Sequence, residues 1–197
     1  MESNRREKTM KELKVKIKGV SPTIMHNGQM CNPMNRYTKL MKEITGKRKK
    51  TDEDHAAIAR IEWEAGLYFN DKREIVWPGL NIERMLIDAA KKIKMGSLLK
   101  TAIIVDGDAP ILPKPQTKNL DALFETNSYV NAVVVNRARI MRTRPIFYDW
   151  ALEFAVTFND ELINQRDLVQ IIEIAGSQIG LSDFRPRFGR FLVESAK

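Results

Sequence analysis

Apolar and polar residues alternate without a break in KELKVKIKG, residues 11–19, with Leu13, Val15 and Ile17 on one side and Lys14, Lys16 and Lys18 on the other. A period of two marks a strand with one buried face, so a strand is predicted whose open face is a row of lysines. Ser21-Pro22 ends it, and the stretch to Pro33 is predicted to be irregular. The period then lengthens: in NRYTKLMKEIT, Tyr37, Leu40, Met41 and Ile44 fall at helical spacing. After the basic run GKRKK, residues 46–50, TDEDHAAIARIEWEAG opens with Thr51 and Asp54 in capping-box positions. Acidic residues there suit the positive end of a second helix.

LYFNDKREIVW predicts a hairpin about Asn70-Asp71, and Pro78-Gly79 leads into LNIERMLIDAAKKIK. There Ile82, Met85, Leu86, Ala89, Ala90 and Ile93 make one apolar stripe of a helix. TAIIVDGD predicts a strand closed by an Asp-Gly turn, and PILPKPQTKNLDALFE a proline-rich connection with a short helical turn. NAVVVNRARIMRTRP is a further strand-like run that becomes strongly basic. WALEFAVTFND alternates again, with Leu152, Phe154 and Val156 on one face. ELINQRDLVQIIEIAGSQIG carries the helical stripe Leu168, Ile171, Ile172 and Ala175, stopped by Gly176 or Gly180. FRPRFGRFLVE is the last strand. The order is that of an α+β, ferredoxin-like or RRM-like βαββαβ core, with a helical hairpin inserted after the first strand at about 35–66. One domain is expected over 11–197, preceded by a polar, disordered segment at 1–10. Two helices cover one face of such a sheet and leave the other open, with the lysine row on or beside it.

At 197 residues, 43% apolar and 29% charged, the chain has the composition of an ordinary folded domain. It has no apolar run of membrane-spanning length, and MESNRREKTMKELK lacks the apolar centre of a signal peptide, so a cytoplasmic location without a membrane partner is expected. Cys31, the single cysteine, excludes an intrachain disulfide and a multi-cysteine metal site. The net charge of +8 favours a polyanionic partner, and the placement of that charge decides how strongly.

Four arginines, Arg137, Arg139, Arg142 and Arg144, stand in NRARIMRTRP with no acidic residue among them. Guanidinium forks match phosphate oxygens in pairs, which makes this run a candidate phosphate clamp. If it is extended, Arg137 and Arg139 share a face with Val133 and Val135 while Arg142 and Arg144 take the other, so joint presentation requires a bend. The competing reading is a solvated strand edge. GLSDFRPRFGRFLVE, residues 180–194, offers Arg185, Arg187 and Arg190 to phosphates. Phe184, Phe188 and Phe191 either stack on bases or pack in the core, and Gly180 and Gly189 permit unusual backbone angles. GKRKK is a secondary candidate. His26 is a candidate general base for RNA cleavage or a turn residue, and His55 a surface residue. Asp106 and Asp108 either hold a cation or form a turn. Without a Walker loop, a GxSxG elbow or zinc spacing, no catalytic residues, cofactor or metal are expected, the alternative being a metal-independent ribonuclease using His26.

With this order of elements, and with WPGLNIERMLIDAAK and SQIGLSDFRPRFGRF in place, the chain resembles RAMP-type proteins, the ferredoxin-like, RNA-binding backbone subunits of CRISPR effector complexes. In that family a Pro-Gly segment begins the first helix and a glycine-rich loop follows the last; Pro78-Gly79 and Gly180 through Gly189 stand at those places, with fewer glycines than is typical. The resemblance covers the core and not the hairpin at 35–66. The whole chain also resembles small tailed-phage proteins through KTDEDHAAIARIEWEAGLYFN, RTRPIFYDW and FRPRFGRF, a resemblance that brings no activity with it. Together these imply a phage-encoded, solitary relative of the CRISPR subunits in the host cytoplasm. It would coat single-stranded RNA or DNA, RNA first, and self-associate into an oligomer or filament. Alternatively, it would inhibit or mimic a subunit of a host defence complex. The expected contacts are Lys14, Lys16 and Lys18 as an electrostatic floor, Arg137, Arg139, Arg142 and Arg144 as the clamp, and Arg185, Arg187 and Arg190 beside them.

Overall fold

The computed structural model describes residues 10–115 and 119–197, so all of the predicted N-terminal segment except Met10 lies outside the described residues. The chain forms two compact units. One comprises the segment ending at Thr23 together with Phe69–Lys114 and Tyr148–Lys197; the other comprises Ile24–Tyr68 and Pro115–Phe147.

In the first unit, strand β1 (Met10–Gly19) is central. A short β3 (Val76–Trp77) is followed by helix α3 (Gly79–Ala90), helix α4 (Gly96–Ala102), β4 (Ile103–Val105) and β5 (Ala109–Pro110). Strand β8 (Ala151–Asn159), helix α6 (Gln165–Ile174) and strand β9 (Phe191–Ala196) complete it. The four-stranded sheet has the order β4-β8-β1-β9, and each neighbouring pair is antiparallel. Register follows the alternation of the sequence. Leu13, Val15 and Ile17 lie opposite Val156, Phe154 and Leu152, which gives the sheet one apolar face. The stripes of α3 (Ile82, Met85, Leu86, Ala89) and α6 (Leu168, Ile171, Ile172) are fully buried. Burying such side chains supplies about 1.5–3 kcal/mol each, which is the main support of this unit. Gly79 is required at the start of α3, because a Cβ there would stand 2.4 Å from the Gly107 carbonyl oxygen and 2.6 Å from that of Val105. Pro78-Gly79 is thus a close-packing device between helix and sheet.

In the second unit, helix α1 (Arg36–Thr45) and helix α2 (Asp52–Gly66) occupy the stretch where two helices were expected. The capping box forms as predicted: Thr51 Oγ1 accepts from the Asp54 amide at 3.3 Å, and Asp54 Oδ2 from the Thr51 amide at 3.1 Å. Beyond α2, helix α5 (Leu120–Thr126) precedes strands β6 (Ser128–Val135) and β7 (Ala138–Phe147). These form a sheet of order β2-β7-β6 with the short β2 (Thr23–Ile24). Trp63 anchors the core of this unit, fully buried, edge-on to Phe124 and donating to the Asn127 carbonyl at 2.9 Å.

NAVVVNRARIMRTRP is therefore not one strand but the two arms and turn of a hairpin. Val135 pairs with Ala138, which leaves Asn136 and Arg137 as a two-residue turn. Both have positive φ, 49° and 68°, as a type I′ turn requires. Asn136 tolerates that geometry, but Arg137 stands where glycine is usual, so the Asn-Gly signal is missing and the run reads as continuous.

Candidate nucleic-acid interface

The ten cationic residues singled out in the sequence fall in both units. Lys14, Lys16, Lys18, Arg185, Arg187 and Arg190 belong to the first, and Arg137, Arg139, Arg142 and Arg144 to the second.

The lysine row lies on the open face of the β4-β8-β1-β9 sheet, as the alternation predicts, but it does not form a bare positive floor. Lys14 pairs with Glu12 at 3.8 Å, Lys18 with Asp149 at 3.5 Å, and Lys16 with both Glu153 at 3.6 Å and Glu194 at 3.4 Å. Glu153 sits directly opposite Lys16 on β8. Glu194 reaches Lys16 from β9, where the register against β1 shifts at Lys16/Ile17. Carboxylates from both neighbouring strands thus interleave with the lysines, which a single-strand reading cannot anticipate. Leu192 and Ile104 are exposed on the flanking strands.

The arginine run separates along the hairpin. Arg137 in the turn and Arg139 at the start of β7 are exposed, and among the described residues neither side chain has an ion pair or hydrogen bond. Arg139 lies opposite Val134, on the face that carries Val130, Ala132 and Met141, all of them exposed. Arg142 is committed to the fold: its guanidinium pairs with the Glu62 carboxylate, and Glu62 also accepts the Thr143 amide at 3.0 Å. Glu62 is only 5% exposed, so Arg142 neutralises a carboxylate that water barely reaches. Arg144 is half-buried, with Nη1 3.4 Å from the Thr143 carbonyl oxygen. In GKRKK, Lys47 is spent on Asp54 at 2.6 Å, holding that carboxyl below its ordinary range, while Arg48 and Lys49 are exposed.

The C-terminal stretch is a closed loop whose glycines serve the backbone. Gly180 and Gly189 have φ of 82° and 78°, and the Leu181 amide donates to the Gly189 carbonyl at 2.8 Å across the neck. A Cβ on Gly189 would stand 2.3 Å from the Leu181 carbonyl oxygen, so this neck admits no side chain. Phe191 is core, edge-on to Trp150. Arg190 folds back to donate to the Pro186 and Ser177 carbonyls, each at 2.8 Å, and so braces the loop. Arg185 and Arg187 remain exposed on it, Arg187 above the Phe188 ring at 5.9 Å.

Arg185 also leads to a cluster the sequence reading missed. Its Nη2 lies 3.6 Å from Asp88, which pairs with Arg84 at 3.3 Å and Lys91 at 2.7 Å. Burial pushes the Asp88 carboxyl up, but the Lys91 hydrogen bond and the charges of Arg84, Lys91 and Arg185 outweigh it and hold the group below its ordinary value. One carboxylate thus gathers three cations. Arg84, Asp88 and Lys91 follow the i, i+4 and i, i+3 spacing of a helix, which is readable, whereas the approach of Arg185 is tertiary.

Of the residues weighed for chemistry, His26 is exposed, and its carbonyl accepts the Tyr68 hydroxyl at 2.9 Å. Asp108 faces the Gly79 amide at 3.4 Å and Asp106 the Thr157 hydroxyl at 3.4 Å. Among the described residues, no group of three His, Cys, Asp or Glu side chains converges as a metal site, and no helix is long and apolar enough to cross a membrane.

No protein-family model and no curated protein matches the chain. Among solved structures, it is similar to a chain in the cryo-EM structure of the Type III-B Cmr-beta bound to cognate target RNA, with a TM-score of 0.57 and 8% identity. The alignment covers 100% of this chain and 63% of that one, so this chain spans somewhat under two thirds of the protein it matches. At this identity the likeness is one of fold alone: the chain shares the α+β fold of the matched chain.

Proposed function

We propose that the chain is a non-catalytic binding protein for single-stranded nucleic acid, RNA first, built on a ferredoxin-like core related to the backbone subunits of CRISPR effectors. The observation that carries it is the fold likeness over the whole chain to a protein from an RNA-bound Cmr-beta assembly. The sheet order β4-β8-β1-β9, with α3 and α6 in the two crossovers, supports the βαββαβ reading. Supporting the ligand are the net charge of +8 and the cations not consumed by the fold: Arg137 and Arg139 on the hairpin, Arg187 on the closed loop, and Arg185 with surplus charge around Asp88. Arg142 and Arg190 support those surfaces, and the lysine row contributes little net field. The protein acts in the cytoplasm of a phage-infected host and self-associates along its ligand. The test is fluorescence anisotropy of nuclease-treated protein with labelled single-stranded RNA, single-stranded DNA and duplex at low salt. Saturable binding to single strands, strongest for RNA and with the oligonucleotide left intact, is expected. Cleaved product that disappears in His26→Ala would overturn the non-catalytic assignment.

A second reading has its own observation. On the open sheet face the lysines are matched by carboxylates and Leu192 and Ile104 are exposed, so it offers a partner apolar contact and balanced charge instead of phosphate attraction. It would make the chain a module that inhibits or mimics a subunit of a host defence complex. Absence of oligonucleotide binding, with saturable binding to one purified host complex, would favour it.

A further inference from the structure

On the helical side of the first unit, Arg84, Ile87, Lys91, Lys94, Gly96, Ser97 and Lys100 line an open cavity of about 380 Å³. Four cations border it, and among the described residues the acidic group that engages any of them is Asp88, which binds Arg84 and Lys91. Among the described residues, the side chains of Lys94, Lys100 and Ser97 have no hydrogen bond or ion pair. Glu83, the neighbouring carboxylate on α3, is turned to the Val105 amide at 3.3 Å.

Two backbone features hold cations at this rim. Lys94 ends the helical turn in the left-handed region, φ 62°, a position that glycine or asparagine ordinarily fills. Gly96 leaves room for the stem of Lys91: a Cβ there would stand 2.5 Å from Lys91 Cγ. Strain kept at a position that also carries a charge into a cavity is the pattern of a binding site. The size is at the lower end for small-molecule pockets, and the lining is cationic with an apolar floor at Ile87.

From this arrangement we infer that Arg84, Lys91, Lys94 and Lys100 form a second anion site, which takes a phosphoryl-bearing ligand no larger than a nucleotide. Ammonium groups act there as point charges for phosphate oxygens, with the Ser97 hydroxyl as a further donor. The ligand is either a free phosphorylated compound or the terminal phosphate of an oligonucleotide; both present the same group. The hairpin arginines are not part of the site, and the loop residue Arg185 reaches it only through Asp88, so variants at Lys94 and Lys100 test it separately from the binding of long single strands.

The test is calorimetric titration of the full chain with inorganic pyrophosphate at low salt, beside oligouridylate carrying either a 5′-phosphate or a 5′-hydroxyl. Wild type binds pyrophosphate, and Lys94→Gln/Lys100→Gln weakens it about tenfold or more while thermal unfolding is unchanged, because neither lysine has a partner among the described residues. Lys94→Gly separates binding from folding: it relieves the left-handed strain and raises thermal stability, yet weakens pyrophosphate. A 5′-phosphate preference that vanishes in the double variant assigns the terminal phosphate as source; pyrophosphate binding without that preference assigns a free ligand. Failure of wild type to bind pyrophosphate, or equal affinity in the double variant, overturns the site. Arg137→Asn/Arg139→Gln must leave pyrophosphate affinity intact.

Discussion

Replacing Arg142 by alanine should act first on stability and only secondarily on any ligand. The Glu62 carboxylate is 5% exposed and has two partners, the Arg142 guanidinium and the Thr143 amide at 3.0 Å. Removing one member of a buried ion pair strands the other, at a cost of about 3–5 kcal/mol when no water reaches it. Here the Arg142 side chain is 33% exposed, so truncation lets water approach Glu62 and reduces the cost to about 2 kcal/mol. That corresponds to roughly a thirtyfold change in the folded-to-unfolded ratio. Urea unfolding gives the global value, and hydrogen exchange at the Thr143 amide reports the site itself. In Arg142→Ala/Glu62→Gln no charge is stranded, so the double variant should lose less than the sum of the two single losses. If Arg142→Ala unfolds within about 0.5 kcal/mol of wild type and the Thr143 amide stays protected, the pair is not structural, and Arg142 is free for phosphate after all.

Gly189→Ala should destabilise the first unit by about 2 kcal/mol or more, since φ is 78° and the new methyl meets the Leu181 carbonyl oxygen; chemical denaturation of the purified variant measures it. The Tyr37 hydroxyl is pushed up by burial and by its hydrogen bond to Glu64, against the lowering effect of Arg36. A raised folded value means its stabilisation is complete below the unfolded tyrosine range, about pH 10, and is lost as pH rises beyond it. Tyr37→Phe should flatten that alkaline loss in thermal melts. Asp88, held low, has the opposite sign: its contribution is present above about pH 4 and is lost on acidification, and Asp88→Asn should remove that acid-side dependence. Lys14→Gln/Lys16→Gln/Lys18→Gln should change the RNA affinity of the protein by less than threefold in anisotropy titrations, since carboxylates already match these lysines.

Much of the first unit is legible in the chain. The alternation at Leu13, Val15 and Ile17 and at Leu152, Phe154 and Val156 yields two central strands and their buried faces. The stripes at Ile82–Ala90 and Leu168–Ile172 yield the helices that cover them. Three features are not legible, each for a physical reason. The hairpin turn uses Asn136-Arg137 without glycine, so the run around it reads as one strand. Of the carboxylates that quench the lysine row, Glu12 is near Lys14 on β1, but Glu153 and Glu194 come from β8 and β9, far away in sequence, and register alone brings them to Lys16. The role of Arg142 depends on Glu62, 80 residues earlier. A charge run therefore does not tell which of its cations are held by the fold: among the ten, those in the fold's own ion pairs and loop braces can be recognised only once the partners are placed. Conversely, Arg84, Lys91, Lys94 and Lys100 form no charge run in the sequence, because they are spread along helix α3, helix α4 and the turn between them, and the fold alone brings them to one rim.

The most direct measurement is the salt dependence of affinity for labelled single-stranded RNA, in wild type, Arg137→Asn/Arg139→Gln and Arg185→Ala/Arg187→Ala. Asn at position 137 keeps the positive φ of 68° accessible, so the first variant alters charge and not the turn. If these arginines hold phosphates, wild type binds steeply with salt, and each pair lowers the slope of log K against log salt by about 1.4, roughly 0.7 per lost contact, with folding unchanged. Slopes identical to wild type in both variants, or no binding by wild type at low salt, would contradict the phosphate contacts and leave the sheet face and a protein partner as the function.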